Sequence, residues 1–225
     1  MKKKSLIGTS LLLGSFIAQA SFAEESKNFY LSVGGGLAVP SDVNGDITIG
    51  GVIYDASADV DNPAFYSLGI GKYFNDFRVE FNYSQATLQS DKQEFTTGGV
   101  GLVSSVTPAL ESTMKSSMIY VYKDFSNDSK FTPYAGLGLG FATSSSKDQT
   151  VSVLGSTFEI VGSGESVLSF ALKGGGSYKI SDNTSLYSEV IYQNFGSYDV
   201  TESGITTNYD STKYFAINAG LRFSF

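Results

Sequence analysis

The sequence predicts an all-β protein: an eight-stranded antiparallel transmembrane β-barrel with short turns at one end and four long loops at the other. Apolar and polar residues alternate through eight segments, which is the period of a strand whose two faces meet different surroundings. Aromatic residues make up 14% of the 225 residues and glycine contributes 25, yet after the N-terminal segment no stretch is apolar for long enough to form a transmembrane helix. Short polar connections also alternate with long ones, as in membrane-spanning barrels.

The N-terminal segment, MKKKSLIGTSLLLGSFIAQASFAEES, is predicted to be a signal peptide spanning 1–23. Three lysines precede a short apolar stretch and then small residues. Cleavage is expected after Ala23, with Ala20 as an alternative, because the chain becomes polar at Glu24. A membrane anchor is the other interpretation, but two glycines interrupt a stretch that is already short for a span. The sequence therefore predicts export of a single barrel domain, 24–225.

The first three strands are predicted at about 28–38, 64–74 and 77–86. The first, NFYLSVGGGLA, places phenylalanine, leucine and valine on one face, and tyrosine, serine and glycine on the other. The second, AFYSLGIGKYF, sets tyrosine, leucine and isoleucine against serine and glycine. The third, FRVEFNYSQA, has the clearest pattern, since its aromatic and valine residues alternate strictly with arginine, glutamate, asparagine and serine. A helix would scatter these two sets around its circumference.

The other five strands are predicted at about 114–125, 132–142, 167–180, 185–195 and 213–225. The fourth, MKSSMIYVYKDF, has less distinct faces because isoleucine and valine oppose two tyrosines. In the fifth, TPYAGLGLGFA, the large apolar residues oppose three glycines. The sixth, VLSFALKGGGSYKI, and the seventh, SLYSEVIYQNF, carry lysine, glutamate and glutamine on their polar faces. The eighth, KYFAINAGLRFSF, alternates to the last residue of the sequence.

The polar, glycine-rich face is predicted to line the interior, and the apolar face to contact lipid. Periodicity alone does not orient the faces, but charged residues occupy mid-strand positions that the core of a soluble barrel would not accommodate. Glycines on the same face leave room for long charged side chains in a narrow interior. A structural charge network is therefore predicted in the lumen, comprising Arg78, Glu80, Lys173, Glu189 and Arg222.

The connections predict which end of the barrel faces which side of the membrane. Three are short and polar, at 75–76, 126–130 and 181–184, and the other four are long, at about 39–63, 87–113, 143–165 and 196–211. Short turns are typically periplasmic, which predicts that both chain termini are periplasmic as well. Each long loop contains a pair typical of tight hairpin turns: Gly50-Gly51, Gly98-Gly99, Gly155-Ser156 and Ser203-Gly204. Strand extensions above the membrane are predicted, with loops lacking regular structure as the alternative.

Four segments carry a resemblance to a known family: FRVEFNYS, PYAGLGLGFA, ALKGGGSYKISDNTSLYSEVIYQNFG and FAINAGLRFSF. They resemble the small outer-membrane β-barrel family of opacity-protein-like porins and OmpA-like transmembrane domains, and within it the bacterial major surface antigens. The resemblance runs from about Phe29 to Phe225. It implies an eight-stranded barrel in the outer membrane of a Gram-negative bacterium, with surface-exposed loops. It also implies assembly by the barrel assembly machinery through a C-terminal aromatic signal, here Phe223 and Phe225, and it implies no catalytic residue.

The composition excludes several kinds of chemistry. With no cysteine and no histidine, the chain has neither disulfides nor thiolate ligands, and it lacks the commonest general base. A net charge of −7 without basic blocks argues against nucleic-acid binding. The glycine runs GLGLG and GGG lie within strands and lead into no helix, so they are not nucleotide-binding motifs. No cofactor is predicted.

Two clusters of acids leave alternatives open. Glu80 and Glu189 could form a general acid–base pair, although cations on the same lumen face favour salt-bridged packing. The first long loop holds five aspartates, whose oxygens could bind calcium, but their spacing does not match a known calcium-binding loop. These five are Asp42, Asp46, Asp55, Asp59 and Asp61. Solvated surface acids are the favoured interpretation, and no metal site is predicted.

The leading functional hypothesis is a non-enzymatic outer-membrane surface protein of structural, adhesin or surface-antigen type. Its partners would be outer-membrane lipid and a host or extracellular ligand that meets the loops. A narrow porin-like channel for small solutes is the alternative. Since the interior of an eight-stranded barrel is roughly filled by its own side chains, a wide general pore is not expected. An enzyme is the least favoured class.

Overall fold

The computed structural model describes residues 28–49, 52–97, 100–146, 148–153, 156–160, 164–202 and 205–225. The predicted signal peptide and its cleavage site lie outside these residues. Among the described residues, no helix is long and apolar enough to cross a membrane.

The described residues contain fourteen strands, eight of which form the barrel. The barrel strands are β1 (Phe29–Pro40), β4 (Ala64–Phe74), β5 (Phe77–Thr97), β6 (Val100–Asp124), β7 (Phe131–Ser146), β10 (Gly164–Lys179), β11 (Thr184–Phe195) and β14 (Thr212–Ser224). The six shorter strands are β2 (Val43–Ile49), β3 (Val52–Asp59), β8 (Gln149–Val153), β9 (Ser156–Ile160), β12 (Tyr198–Glu202) and β13 (Ile205–Tyr209). All eight predicted strands are confirmed.

The eight long strands form a closed antiparallel ring. Its order is β1, β4, β5, β6, β7, β10, β11 and β14. β14 then pairs with β1 from Tyr30 opposite Ser224 to Pro40 opposite Tyr214. The last residue joins this seam, since the Phe225 N–H donates to the Phe29 carbonyl at 2.9 Å. The ring has no open edge in the part that spans the membrane, as hydrocarbon requires.

The two faces of the ring are oriented as predicted. Leucine, isoleucine, valine and phenylalanine point outward; Leu137 is 66% exposed and Ile217 is 64% exposed in the isolated chain. Serine, asparagine, tyrosine and all of the predicted lumen charges point inward, where Arg78 is fully buried. Alternation therefore separates a lipid-facing surface from a polar interior, which is the reverse of a soluble barrel.

Three short turns lie at one end of the barrel, together with the C-terminus; this is called the short-turn end. The turn between β4 and β5 consists of Asn75 and Asp76, since Phe74 pairs with Phe77. Asn75 has a φ of 57°, a left-handed conformation that two-residue hairpins favour and that asparagine tolerates. Asp76 accepts hydrogen bonds from Lys123 and Ser126, both at 3.0 Å, which link this turn to the end of β6. These contacts lower the pKa of the Asp76 carboxyl.

The four long connections form hairpins at the opposite end, here called the long-hairpin end. β2 pairs with β3, β8 with β9, and β12 with β13, while β5 and β6 continue their pairing through an irregularity between Ser90 and Lys92. The predicted strand extensions are therefore present. One turn position is wrong: Ser156 begins β9 and pairs with Val153, so the two connecting residues are 154–155. The predicted glycine pairs at 50–51 and 98–99, and residues 203–204, lie outside the described residues.

The hairpins also pair with one another above the ring. β3 pairs with the upper part of β5, β2 pairs with β13, and β6 pairs with β8. A span needs only about 9–11 residues per strand. The 21 residues of β5 and the 25 residues of β6 are thus about twice as long as a membrane crossing requires.

The inward-facing glycines of β7 accommodate tyrosine rings of β6. Gly136 pairs with Tyr122 and Gly138 pairs with Tyr120. A Cβ atom at either glycine would overlap ring carbons of its tyrosine partner. The GLGLG segment is thus explained by close packing, although the space is filled by tyrosine rather than by the charged side chains that the sequence suggested.

We expect Gly136→Ala to destabilise the barrel by about 1–3 kcal/mol, the usual cost of overpacking a filled interior. The matched control is Gly174→Ala on the neighbouring strand β10. A Cβ there would meet no atom within 4 Å. The control should be neutral or slightly stabilising, since a strand glycine costs roughly 0.5–1 kcal/mol relative to alanine. Urea unfolding in detergent micelles measures both, and equal effects would contradict the packing role.

Candidate functional site

The structure places all five charged residues predicted for the lumen inside the barrel. Arg78 and Glu80 lie on β5, Lys173 on β10, Glu189 on β11 and Arg222 on β14, and none is more than 5% exposed. They do not form one continuous set of ion pairs. One group forms around Glu189 and another around Arg78. Arg222 lies more than 4.0 Å, the limit of an ion pair, from every carboxylate of the described residues.

Glu189 is the centre of the first group. Its carboxylate accepts hydrogen bonds from Lys173 Nζ at 2.9 Å, from the Tyr134 hydroxyl at 3.0 Å and from Asn218 Nδ2 at 3.0 Å. Lys173 Nζ also lies 4.2 Å from the centre of the Tyr120 ring. A buried ion pair is stable only when further hydrogen bonds satisfy its remaining polar atoms. Tyr134 and Asn218, the two donors beyond Lys173, supply these further bonds to Glu189.

Arg78 organises the second group. Its Nε donates to Asp124 at 3.0 Å and its Nη1 donates to the Tyr30 hydroxyl at 3.3 Å. The guanidinium lies 3.8 Å from the centre of the Tyr122 ring and 4.5 Å from that of Tyr134. Arginine combines planar hydrogen bonding with stacking on aromatic faces, so this environment holds the cation from several directions.

Glu80 is bound mainly by neutral donors. Its carboxylate accepts hydrogen bonds from Asn82 at 3.0 Å, Ser32 at 3.2 Å and Tyr122 at 3.3 Å. Arg78 Nη1 is farther away, at 4.0 Å from the nearer oxygen. The geometry thus gives Glu80 and Glu189 separate hydrogen-bond shells in a packed interior, which supports the structural interpretation of these two acids.

Asp124 is the lumen charge that the sequence analysis missed. It is 8% exposed and lies on the same face of β6 as Tyr120 and Tyr122. Two signals could have identified it. First, Asp124 lies two residues after Tyr122 in a strand, so it points to the same face as these tyrosines. Second, the five predicted residues contain three cations but only two acids. With Asp124 the buried charges balance.

A third polar group lies closer to the long-hairpin end. Gln193 Nε2 donates to Ser169 at 2.8 Å and to Ser116 at 3.1 Å, and its Oε1 accepts from the Tyr214 hydroxyl at 2.7 Å. Buried Met118 and an apolar cluster surround this level; the cluster comprises Ala38, Ile191 and Ala216, packed against Phe65 and Tyr214. Side chains therefore occupy the lumen at successive levels along its length.

The acidic residues of the first long loop do not converge on one point. Asp46 of β2 pairs with Asp55 of β3, and Asp59 pairs with Lys92. Desolvation raises the pKa of the Asp46 carboxyl, and Asp55 and Asp210 raise it further through hydrogen bonding and repulsion. Within the described ranges, no group of three or more acidic, histidine or cysteine residues is arranged to hold a metal ion.

Phe223 and Phe225, the predicted assembly signal, lie on the outer surface at the barrel seam. Phe223 is 42% exposed and Phe225 is 38% exposed. The Phe225 ring stacks on Phe29, with ring centres 6.4 Å apart. Recognition by the assembly machinery stays a prediction.

Comparisons with known proteins agree with this architecture. A family model described as "Outer membrane protein beta-barrel domain" matches residues 9–225. No curated protein sequence matches the chain significantly.

Solved structures that share the fold include the following three. Neisserial surface protein A (NspA) is 17% identical, with a TM-score of 0.56, and the alignment covers 89% of this chain and 98% of NspA. The outer membrane protein OprG from Pseudomonas aeruginosa is 16% identical, with a TM-score of 0.59 and coverage of 87% and 95%. The outer membrane protease OmpT from Escherichia coli is 8% identical, with a TM-score of 0.52 and coverage of 92% and 99%. At these identities the likeness concerns the fold alone.

We expect Lys173→Met to destabilise the barrel by about 3–5 kcal/mol, because it leaves Glu189 buried without its cation. The double variant Lys173→Met/Glu189→Gln should recover much of this loss, since the glutamine is neutral and keeps polar atoms beside Tyr134 and Asn218. Urea unfolding of the refolded protein in micelles measures all variants.

The matched control is Lys72→Met. Lys72 lies at the outer surface over the rings of Phe29 and Phe74, so this change should cost little. A control as unstable as Lys173→Met, or a double variant no better than the single one, would contradict the assignment of a buried ion pair.

Proposed function

We propose that this chain, which belongs to the outer membrane protein beta-barrel domain family, acts as a non-enzymatic surface protein of structural, adhesin or surface-antigen type. The family places it in the Gram-negative outer membrane. In this proposal the barrel is an anchor, and the hairpins at the long-hairpin end meet the exterior.

The observation that carries the proposal is the contrast between a filled lumen and extended hairpins. Buried ion pairs, tyrosine rings and the Gln193 group occupy the interior at successive levels. Outside the ring, the paired hairpins form a sheet that continues well beyond the length needed for a span. A surface role uses the hairpins directly and needs no passage through the barrel.

The polar lining favours the second candidate, a narrow channel for small solutes. Serine, asparagine, glutamine and charged side chains line the lumen, as they do in water-filled barrels. A channel would require these side chains to separate at several levels. The tight packing of the tyrosine rings on glycine therefore supports the surface role over the channel.

An enzymatic role has less support. The acids of the lumen are engaged by lysine, arginine, tyrosine and amide groups. The chain also has no histidine for a general base. The fold likeness to the OmpT protease carries no residue of that enzyme to this sequence.

Orientation follows from the same proposal. The long-hairpin end faces the exterior, and the short-turn end, with both termini, faces the periplasm. The outward aromatic residues at the short-turn end, Phe223 and Phe225 among them, suit the interfacial girdle of a barrel. They also form the C-terminal aromatic signal that the assembly machinery would recognise.

Single-cysteine labelling tests the orientation, because the chain has no native cysteine. We expect Asn208→Cys, at an exposed position of β13, to react with a membrane-impermeant maleimide on intact cells. Ser181→Cys, in the exposed β10–β11 turn, should react only after the outer membrane is permeabilised. The reverse pattern, or equal labelling of both positions, would refute the proposed display of the hairpins. In the same cells, a shortened β5–β6 hairpin lacking 92–105 should still give a folded barrel, since 92–97 and 100–105 pair with each other above the ring.

A further inference from the structure

A polar pocket opens at the short-turn end of the lumen, and it is called the mouth pocket here. Its volume is about 250 Å³, and side chains from all three short turns and from the adjoining strand ends line it. It lies at the opposite end from the hairpins and inside the ring, so neither the proposed surface role nor the lipid-facing wall accounts for it.

Arg222 lines the mouth pocket and is 4% exposed. Its guanidinium lies 5.1 Å from the centre of the Tyr30 ring and 5.4 Å from that of Tyr187. Among the described residues it has no carboxylate within ion-pair distance, and its Nε has no hydrogen-bond partner. The aromatic rings therefore contact a buried cation that has no carboxylate of the described residues close enough for an ion pair.

The acids that line the mouth pocket are already engaged. Asp124 accepts from Arg78 at 3.0 Å, and Asp182 forms an ion pair with Lys179 at 2.9 Å. Lys130, also in the lining, takes part in no ion pair of the described residues. The pocket thus presents two cationic groups whose charge is not balanced locally, one buried and one exposed.

Hydroxyl donors complete the lining. Thr132, Ser177 and Ser185 line the pocket at the ends of β7, β10 and β11, and Ser185 is the register partner of Arg222. An arginine with a second cation and several hydroxyl groups is the donor set that recognises phosphate oxygens, because guanidinium bonds to an oxyanion are charge-assisted. An unpaired buried cation is also costly, and an anion would relieve that cost.

We propose that the mouth pocket binds a small oxyanion of the phosphate class, with Arg222 as its buried anchor and Lys130 at its rim. A free phosphate or a phosphorylated small solute can enter from the open end of the barrel. A lipid headgroup shares the same chemistry, but it would approach from the outer wall, where Lys72 and Lys123 lie over phenylalanine rings.

Isothermal titration of inorganic phosphate into the refolded mature chain, in uncharged lipid-free micelles, tests the proposal. We expect saturable binding of one phosphate per barrel. Arg222→Gln should weaken it by about tenfold or more, as expected for the loss of one charge-assisted hydrogen bond. Lys130→Gln should weaken binding to a smaller degree, and because Lys130 is exposed this variant should fold normally. Lys72→Gln, a cation on the outer wall, should leave the affinity unchanged.

Several outcomes would overturn the site. These are the absence of saturable binding, an unchanged affinity in Arg222→Gln, or an equal loss in Lys72→Gln, which would indicate diffuse attraction to surface charge. If Arg222→Gln does not fold, an unchanged affinity in Lys130→Gln decides against the pocket. A second titration uses vesicles containing phosphatidylglycerol in place of phosphate. Binding seen only there would assign the affinity to lipid headgroups at the outer wall.

Discussion

The constraint on which this structure depends is that hydrocarbon offers no water to an unpaired backbone group. The first and last barrel strands must therefore pair, and they do so along eleven opposing positions, with Phe225 adding a final hydrogen bond to Phe29. Once the ring is closed, alternate residues can point only to lipid or to the lumen. Apolar side chains take the outer surface, so the polar and charged residues of the same strands have to be accommodated inside.

Two kinds of complementarity fill the interior: glycines pack against tyrosine rings, and hydrogen-bond donors surround buried carboxylates. Glycines of β7 make room for Tyr120 and Tyr122 of β6, and these rings in turn pack beside Lys173 and Arg78. Glu189 and Glu80 each accept three hydrogen bonds, most of them from other strands, and Asp124 accepts one from Arg78. Hydrogen bonds across the lumen connect strands that are distant in the ring, so the contents of the barrel also brace its wall.

Much of this architecture could be predicted from sequence. Period-two alternation identifies the strands and their two faces, and the lengths of the connections distinguish the two ends of the barrel. The eight strands follow from parity, and the charges at mid-strand positions identify the face that points inward. The ion-pair partners of the lumen charges cannot be predicted in this way, because distances across the lumen decide which side chains meet. Arg222 has the same parity evidence as Arg78, yet only Arg78 has a carboxylate in reach. Asp124 was missed because both faces of its strand carry large apolar or aromatic residues, and Ser156 was misplaced because a glycine pair pattern does not fix a turn to one residue.

In the proposed function, side chains close the lumen, and the barrel anchors surface hairpins instead of conducting solutes. Ion efflux from proteoliposomes tests this most directly, with the amount of folded protein per vesicle measured by gel electrophoresis. A filled lumen predicts a potassium efflux rate equal to that of protein-free vesicles at every protein density. An efflux rate that rises in proportion to the number of barrels per vesicle would contradict it and would favour the narrow channel.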